Sequence, residues 1–269
     1  MGIKSPTKDL LVESNVSIPD RAINYSIALL ERDTADRGHI REELSRLKSA
    51  YEIRNCTIIE TGSGLGDNLE IFRKDNHVMG IEGLPDAVAQ ARIRGLDVRE
   101  GDLTSALAVA DSSVDWTLCL DVLEHLEDPL HLMNEIWRVL RPTGRAVINV
   151  PNHFNLAGRI KLLFGQDLDV HRFFPECREW NNPHLRFFTH RGIRQLLEVA
   201  GFSLLEDRSH RFCSLPKQSL LEKLQLQSLS RCIARIRPSL FAGGFFLIAQ
   251  KRALEPAPGP RPLRSGKKT

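Results

Sequence analysis

The sequence predicts an α/β fold built on a doubly wound, mostly parallel sheet of seven strands. Short apolar runs alternate with helical patterns from residue 57 to residue 150, and this alternation is typical of parallel strands joined by right-handed crossovers. A glycine-rich turn follows the first strand, where the backbone must turn sharply. Acidic residues end several strands, at the edge where such sheets bind their ligands.

The predicted elements follow the apolar runs in chain order. The first strand surrounds Ile58 and Ile59, and the others cover residues 77–82, 97–102, 113–120, 145–150, 202–206 and 245–251. The predicted helices cover residues 36–50, 67–75 and 85–94, begin at Pro129, follow Thr189, and occupy the amphipathic stretch 217–237. The tripeptide 142–144 predicts a turn before the fifth strand.

The composition indicates one large domain with appendages. The chain has 269 residues, of which 42% are hydrophobic, enough for a sizeable core. We expect an N-terminal helical cap over residues 1–50, with helices from Asp20 and over 36–50. The main domain is predicted over residues 51–252, with a variable insert at 151–189, and residues 253–269 form a disordered basic and proline-rich tail. The cap either covers the sheet edge or acts as a lid.

Charge and cysteine content exclude several classes of protein. The net charge is +3, and the tail carries four basic residues against Glu255, so the rest of the chain is near neutral and predicts no nucleic-acid surface. The five cysteines form no C-x-x-C pair, which argues against a disulfide framework or a zinc site, and no metal site is predicted. Without a signal pattern or an apolar run of about 18 residues, the expected location is the cytoplasm.

The glycine-rich turn after the first strand indicates a nucleoside site. Gly62, Gly64 and Gly66 alternate along the chain, so the third glycine comes one residue earlier than in the dinucleotide fingerprint G-x-G-x-x-G. Asp67 follows, and an acidic side chain there repels a phosphate. The turn therefore favours a nucleoside ligand without phosphates over a nicotinamide dinucleotide, although a plain glycine turn is the alternative.

Three further acids follow predicted strands. Glu82 ends the second strand, twenty residues after Gly62, where a carboxylate can accept from both ribose hydroxyls. Asp102 ends the third strand, where it can accept from an adenine amino group while a neighbouring N–H meets a ring nitrogen. Asp121 follows the fourth strand and suits a ligand with a cationic ammonium and sulfonium. Each acid alone could be a solvated strand end, but their common position supports a shared site.

The pattern from Glu60 to Gly66 resembles motif I of the class I S-adenosylmethionine-dependent methyltransferases. The run 123–129 resembles a signature that follows the fourth strand of small-molecule methyltransferases, and the segments 150–152 and 181–189 resemble the type 11/23 group, with a weaker likeness to MetW proteins. The resemblance implies a Rossmann-like fold and S-adenosyl-L-methionine as cofactor, although Glu60 and Ser63 stand where Asp and Cys are more usual. The implied cofactor-binding residues are Glu60, Gly62, Ser63, Gly64, Gly66, Glu82, Gly83, Asp102, Leu103 and Asp121.

The acceptor side of the site is less defined by the sequence. His125 follows the fourth strand beside Asp121, and a neutral histidine can serve as general base for a hydroxyl acceptor. Residues of the variable insert could line the acceptor pocket, or could simply pack the segment onto the sheet: Asn152, His153, Trp180, His184 and Phe188.

Two functions fit these observations. The first is an enzyme that methylates a small molecule, a lipid or a glycan, most simply at oxygen. The second is a methyltransferase-fold partner protein that binds the cofactor and assists another enzyme, as the MetW likeness allows. The basic amphipathic stretch 217–237 either lies on an anionic membrane or packs on its own domain. The sequence defines neither the acceptor nor the oligomeric state.

Overall fold

A seven-stranded sheet runs through the computed structural model, which describes residues 38–166, 184–214 and 227–252. The strand order is β3-β2-β1-β4-β5-β7-β6, and only β7 runs antiparallel to its neighbours. The predicted doubly wound, mostly parallel sheet is therefore confirmed. The strands are β1 (Thr57–Thr61), β2 (His77–Glu82), β3 (Val98–Glu100), β4 (Val114–Leu120), β5 (Leu140–Pro151), β6 (Phe202–Asp207) and β7 (Gly244–Lys251).

Helices cover both faces of this sheet. The described helices are α1 (Gly38–Ala50), α2 (Pro85–Ile93), α3 (Pro129–Val139), α4 (Leu156–Leu163), α5 (His190–Val199), α6 (Gln227–Ile236) and α7 (Pro238–Phe241). Side-chain caps fix two of their starts. The Asp128 carboxylate accepts from the first turn of α3, and the Thr189 hydroxyl accepts from Gly192 N at the start of α5. Both starts are where the sequence predicted them.

Two hydrophobic clusters, one on each face, hold the sheet between its helices. Successive side chains of β4 point to opposite faces, so Trp116 and Leu118 pack in one cluster and Cys119 in the other. Helix α1 contributes Ile40, Leu44 and Leu47, all buried, to the Trp116 cluster. The described part of the predicted cap therefore packs onto a face of the sheet.

The predicted helix over residues 67–75 is wrong. The chain makes only a short 3₁₀ turn at Leu69–Ile71. Leu69 and Phe72 are both fully buried, and a spacing of three residues fits a 3₁₀ turn, in which residues i and i+3 eclipse. Asp67 does not cap a helix and instead pairs with Arg94 at 2.9 Å.

The predicted turn at residues 142–144 is also wrong, because these residues lie inside β5. Val114 of β4 pairs with Leu140, and Trp116 pairs with Arg145. One residue of β4 therefore faces four residues of β5, and the strand accommodates them as a local irregularity without reversing direction. The helix predicted from residue 20, residue Trp180, residues 217–226 and the tail lie outside the described residues.

Candidate active site

The glycine corner, residues 62–66, lies at the carboxyl end of β1, in the crevice between β1 and β4. Gly62, Gly64 and Gly66 have positive φ values of 67°, 53° and 81°, a conformation that glycine adopts without steric cost. A Cβ on Gly62 would lie 2.6 Å from Cγ2 of Val122, which follows β4. The corner needs glycine for both reasons, and it is held in place because Gly62 N and Ser63 N both donate to the Ile81 carbonyl of β2.

Glu82 connects the end of β2 to this corner. Its carboxylate accepts hydrogen bonds from Gly64 N at 2.7 Å and from Leu84 N at 3.0 Å. The side chain is only 8% exposed. A carboxylate has about four lone-pair positions, so each oxygen keeps the capacity to accept a further hydrogen bond from a ligand.

The side chains of Glu60 and Ser63 are buried and help to hold the glycine corner in place. The Glu60 carboxylate is buried and accepts from the Asn68 side chain at 2.7 Å. Ser63 lies against Gly80 of β2, where an added Cβ would come within 2.8 Å of the Ser63 Cβ. The Ser63 side chain therefore packs toward the sheet, and the Ser63 backbone forms part of the corner.

Asp102, Gly83 and Leu103 lie beyond β2 and β3. Asp102 is exposed and accepts from the Thr104 backbone and hydroxyl, both at 2.8 Å. These hydrogen bonds hold the pKa of the Asp102 carboxyl below its usual range, so it is charged at neutral pH. Gly83 approaches the backbone of Gly101, and Leu103 packs partly on the core.

Asp121 occupies a strained backbone position directly after β4. Its φ is 54°, which Asp tolerates better than most residues. Asn149 of β5 holds it there, because the Asp121 N–H donates to the Asn149 carbonyl at 2.9 Å and the carboxylate accepts from the Asn149 side chain at 2.5 Å. The acid therefore stands at the point where the strand order changes direction.

The four acids thus end or follow four adjacent strands, all at the carboxyl ends of those strands. Their carboxylates form an acceptor set that suits hydroxyls, an amine and positive charge. This set fits an adenosyl sulfonium ligand. A thiol nucleophile is not part of it, because burial raises the pKa of the neighbouring Cys119 to about 12.

A histidine cluster, formed by His125, His153 and His184, lies beside Asp121. The ring nitrogens His153 Nε2 and His184 Nδ1 are 2.8 Å apart. The His125 and His184 ring centroids are 4.8 Å apart. The structure therefore brings together three histidines from separate segments, two of which the sequence assigned to the acceptor pocket and one to catalysis.

Glu124 is the residue at this cluster that the sequence analysis did not select. Its side chain is 1% exposed, and its carboxylate lies 4.0 Å from His125 Nε2. Its carbonyl accepts from Leu185 N at 2.7 Å and Arg186 N at 2.9 Å. The signal that could have found it is its position between Asp121 and His125 in the loop after a buried strand.

Two other predicted acceptor residues, Asn152 and Phe188, make contacts elsewhere in the chain. Asn152 is 3% exposed and bonds to the chain: its amide donates to Ala242 O at 2.7 Å and its oxygen accepts from Phe154 N at 3.1 Å. Phe188 packs partly on the core. Trp180 lies outside the described residues.

The fold and this arrangement define a class of protein. Residues 59–148 match a family model described as a methyltransferase domain. The chain carries a class I S-adenosylmethionine-dependent methyltransferase domain, as its motifs predicted, and S-adenosyl-L-methionine is the cofactor of this class.

Relatives with curated names agree with this class. The chain is 29% identical over 167 residues to a protein of Mycolicibacterium smegmatis named "Probable S-adenosylmethionine-dependent methyltransferase", a match that covers 61% of this chain and 58% of the relative. It is 26% identical over 116 residues to the ubiquinone biosynthesis O-methyltransferase of Xylella fastidiosa strain M23, covering 40% of this chain and 47% of the relative. The chain therefore spans about half the length of these relatives.

The fold also matches solved structures. A SAM-dependent methyltransferase from Methanosarcina mazei superposes with a TM-score of 0.55 and 20% identity, over 77% of this chain and 97% of that one. At this identity the likeness concerns the fold alone. Within the described residues, no helix is both long enough and apolar enough to cross a membrane.

Proposed function

We propose that the protein transfers a methyl group from S-adenosyl-L-methionine to an oxygen of a small-molecule, lipid or glycan acceptor. One observation carries this proposal. The short loop from Asp121 to His125 belongs to both parts of the site, because Asp121 stands beside the glycine corner and His125 belongs to the histidine cluster. A donor and an acceptor bound on either side of this loop would meet at it.

The cofactor roles follow from the donor and acceptor groups at each strand end. We assign Glu82 to the ribose hydroxyls, because its buried carboxylate can accept from two hydroxyls at once. We assign Asp102 and the Leu103 N–H to the adenine edge. Asp121 is assigned to the positively charged methionine end, which a nearby carboxylate stabilises.

The chemistry needs little beyond positioning and a place for one proton. The cofactor supplies a methyl group activated by a sulfonium. As the oxygen–carbon bond forms, the carbon–sulfur bond breaks, its electron pair remains on sulfur, and the hydroxyl proton passes to a base. His125 is the proposed base, since it is 23% exposed and a neutral imidazole accepts a proton near pH 7.

Two observations support the acceptor class. The relative from Xylella fastidiosa is named as an O-methyltransferase, which favours oxygen. Helix α6 exposes Leu229 and Ile236 beside Arg231 and Arg235, and a basic amphipathic helix can lie on an anionic membrane. We therefore include lipid-linked acceptors. The proposed location is the cytoplasm, in line with the four free cysteines of the described residues.

Two measurements test the proposal. Calorimetry should detect binding of S-adenosyl-L-methionine and its demethylated product, with no binding of NAD. A radiolabelled methyl-transfer assay on extracts of the native cell should then yield a labelled product. Glu82→Ala, assayed in parallel, should give little label and so identifies background products.

The outcomes separate the proposal from its alternatives. Binding of NAD without either adenosyl compound would refute the cofactor assignment. Cofactor binding without acceptor-dependent methyl release would instead favour the partner-protein function, in which the ligand serves assembly.

A further inference from the structure

One carboxylate and two imidazoles converge at the acceptor side of the site. The potential ligand atoms of Glu124, His125 and His184 all lie within 4.8 Å of one another. Donors that each sit about 2.0–2.2 Å from one ion are at most about 4.4 Å apart, so the observed separations are close to those of a bound ion. Two histidines and one carboxylate are a donor set typical of Zn²⁺, Fe²⁺ and similar divalent ions.

The backbone holds the two segments that carry these donors in a fixed relation. Glu124 and His125 belong to the 3₁₀ turn Leu123–His125. The Glu124 carbonyl accepts from both Leu185 and Arg186, directly after His184. The three side chains are therefore positioned by main-chain hydrogen bonds before any ligand binds, as a precise site requires.

His153 provides the outer contact that a histidine ligand usually has. Histidines that bind metals generally donate their second ring N–H to a neighbouring acceptor. If His184 Nδ1–H donates to His153 Nε2 across the 2.8 Å contact, His184 Nε2 carries a lone pair for an ion. The Phe187 ring packs on His153 at 4.9 Å between centroids and limits its rotation.

The difference in burial among the donors also favours a cation. The Glu124 side chain is almost inaccessible, whereas His125 is partly exposed. Buried carboxylates in proteins are paired or coordinate metals. Partial exposure on the His125 side leaves room for a further ligand, and catalytic metal sites keep such an open position.

We propose that Glu124, His125 and His184 bind one divalent transition-metal cation, with His153 as the outer partner of His184. This inference rests on the proposed methyl transfer and deepens it. A cation here would bind the acceptor's oxygen and lower the pKa of its hydroxyl, so that the proton leaves to solvent. It assigns a metal where the sequence predicted none. It also competes with the general-base role of His125, because a nitrogen lone pair bound to a metal cannot accept a proton.

The test is direct titration of the full chain after removal of metals with EDTA. Calorimetry with ZnCl₂ and MnCl₂ should show one ion per chain for at least one of the two metals. His184→Ala and Glu124→Gln should each weaken that binding by about 100-fold or more, and His153→Ala by about 10–100-fold. His77→Ala is the matched control and should bind like the wild type. His77 is exposed at the amino end of β2, whereas the proposed site lies at the carboxyl ends of the strands.

The affinity of each variant for S-adenosyl-L-methionine serves as the folding control. Metal binding that is absent from the wild type, or is retained in both His184→Ala and Glu124→Gln, overturns the inference. A wild-type protein that binds S-adenosyl-L-methionine but no metal leaves the proposed function intact and only this site refuted. A protein that binds metal but no adenosyl compound has the opposite meaning: the metal site stands and the proposed function fails.

Discussion

The two sides of the site are built in different ways. On the proposed cofactor side, the carboxylates that we assign to the ligand end β2 or follow β3 and β4. On the acceptor side, they are imidazoles from three segments that meet only in the folded chain. The first side depends on strand ends in register, and the second depends on contacts between segments.

This difference indicates how each side should respond to substitution. A carboxylate at a strand end is held by its own strand and a neighbouring loop, so its removal should act mainly on ligand affinity, directly and through the hydrogen bonds that it accepts from that loop. A member of the histidine cluster touches residues of another segment, so its removal should act on the reaction, with the cofactor side unchanged. Three predictions test this division and a fourth concerns helix α6, in order from the largest expected effect to the smallest.

His125→Ala should produce the largest change. A general base typically contributes about 10²–10⁴-fold to rate, so turnover should fall by about that factor while cofactor affinity changes by less than about threefold. Single-turnover kinetics and calorimetry measure the two quantities, and His77→Ala is the control. If cofactor affinity falls instead, the two sides are not separate and His125 is part of the cofactor pocket. Nearly intact turnover would transfer the role to His153 or His184, or to positioning alone.

Glu82→Ala should have the next largest effect, on affinity. It removes the two proposed hydrogen bonds from the ribose hydroxyls to the Glu82 carboxylate, together about 3 kcal/mol or more. The dissociation constant for S-adenosyl-L-methionine should therefore rise on the order of 100-fold. Glu100→Ala is the matched control, because Glu100 is an exposed glutamate that ends the adjacent strand β3. An unchanged dissociation constant in Glu82→Ala would refute the assignment of Glu82 to the ribose hydroxyls.

Asp102 allows a test by pH. Asp102→Asn should weaken cofactor binding about tenfold, since one hydrogen bond to an exposed charged group is lost. Because hydrogen bonds from Thr104 lower the pKa of the Asp102 carboxyl, its contribution is present at neutral pH and is lost as the pH falls through that lowered value. Thr104→Val should raise the pKa, so the loss should begin at higher pH. Affinity titrations whose pH dependence is the same in wild type and Thr104→Val would contradict the assignment.

The smallest effect concerns the membrane hypothesis for α6. Ser230 and Ala234 are its buried face, and Arg235 is exposed. Each basic residue near an anionic surface contributes about 1 kcal/mol, so Arg235→Gln should weaken liposome binding about fivefold, with Arg54→Gln as control. Flotation with anionic liposomes at low and high salt measures this. Wild-type protein that stays at the bottom at low salt would show that α6 only packs on the domain.

The sequence signals of the proposed cofactor side are local. Gly62, Glu82 and Asp121 each lie within a few residues of a strand end, and a parallel sheet brings such ends together. The acceptor side was predicted only as separate residues, because the contact between His153 and His184 joins the two ends of the insert 151–189, which are distant in the chain. Glu124 was missed for the same reason: its main partner, the segment after His184, is distant in the chain.

The two incorrect elements have a common physical origin. Residues 67–75 contain apolar residues at helical spacing, but Leu69 and Phe72 are fully buried in a 3₁₀ turn, with Ile71 packed partly against the same cluster. The segment 142–144 contains Pro and Gly, which are typical of turns, but pairing of β5 with β4 and β7 held it within the strand. In both places tertiary contacts decided between local alternatives.

The backbone at Asp121 restricts which residues can ever replace it. A positive φ is inexpensive for Gly, Asn and Asp, and costs other residues about 1–2 kcal/mol. Of these three only Asp carries a charge, and Asn and Gly are each one nucleotide change away from an Asp codon. The easiest route to losing this charge therefore leaves the fold intact. A lineage could therefore lose the carboxylate that we assign to the charged end of the cofactor, and with it part of the affinity for the cofactor, in one step that the fold tolerates.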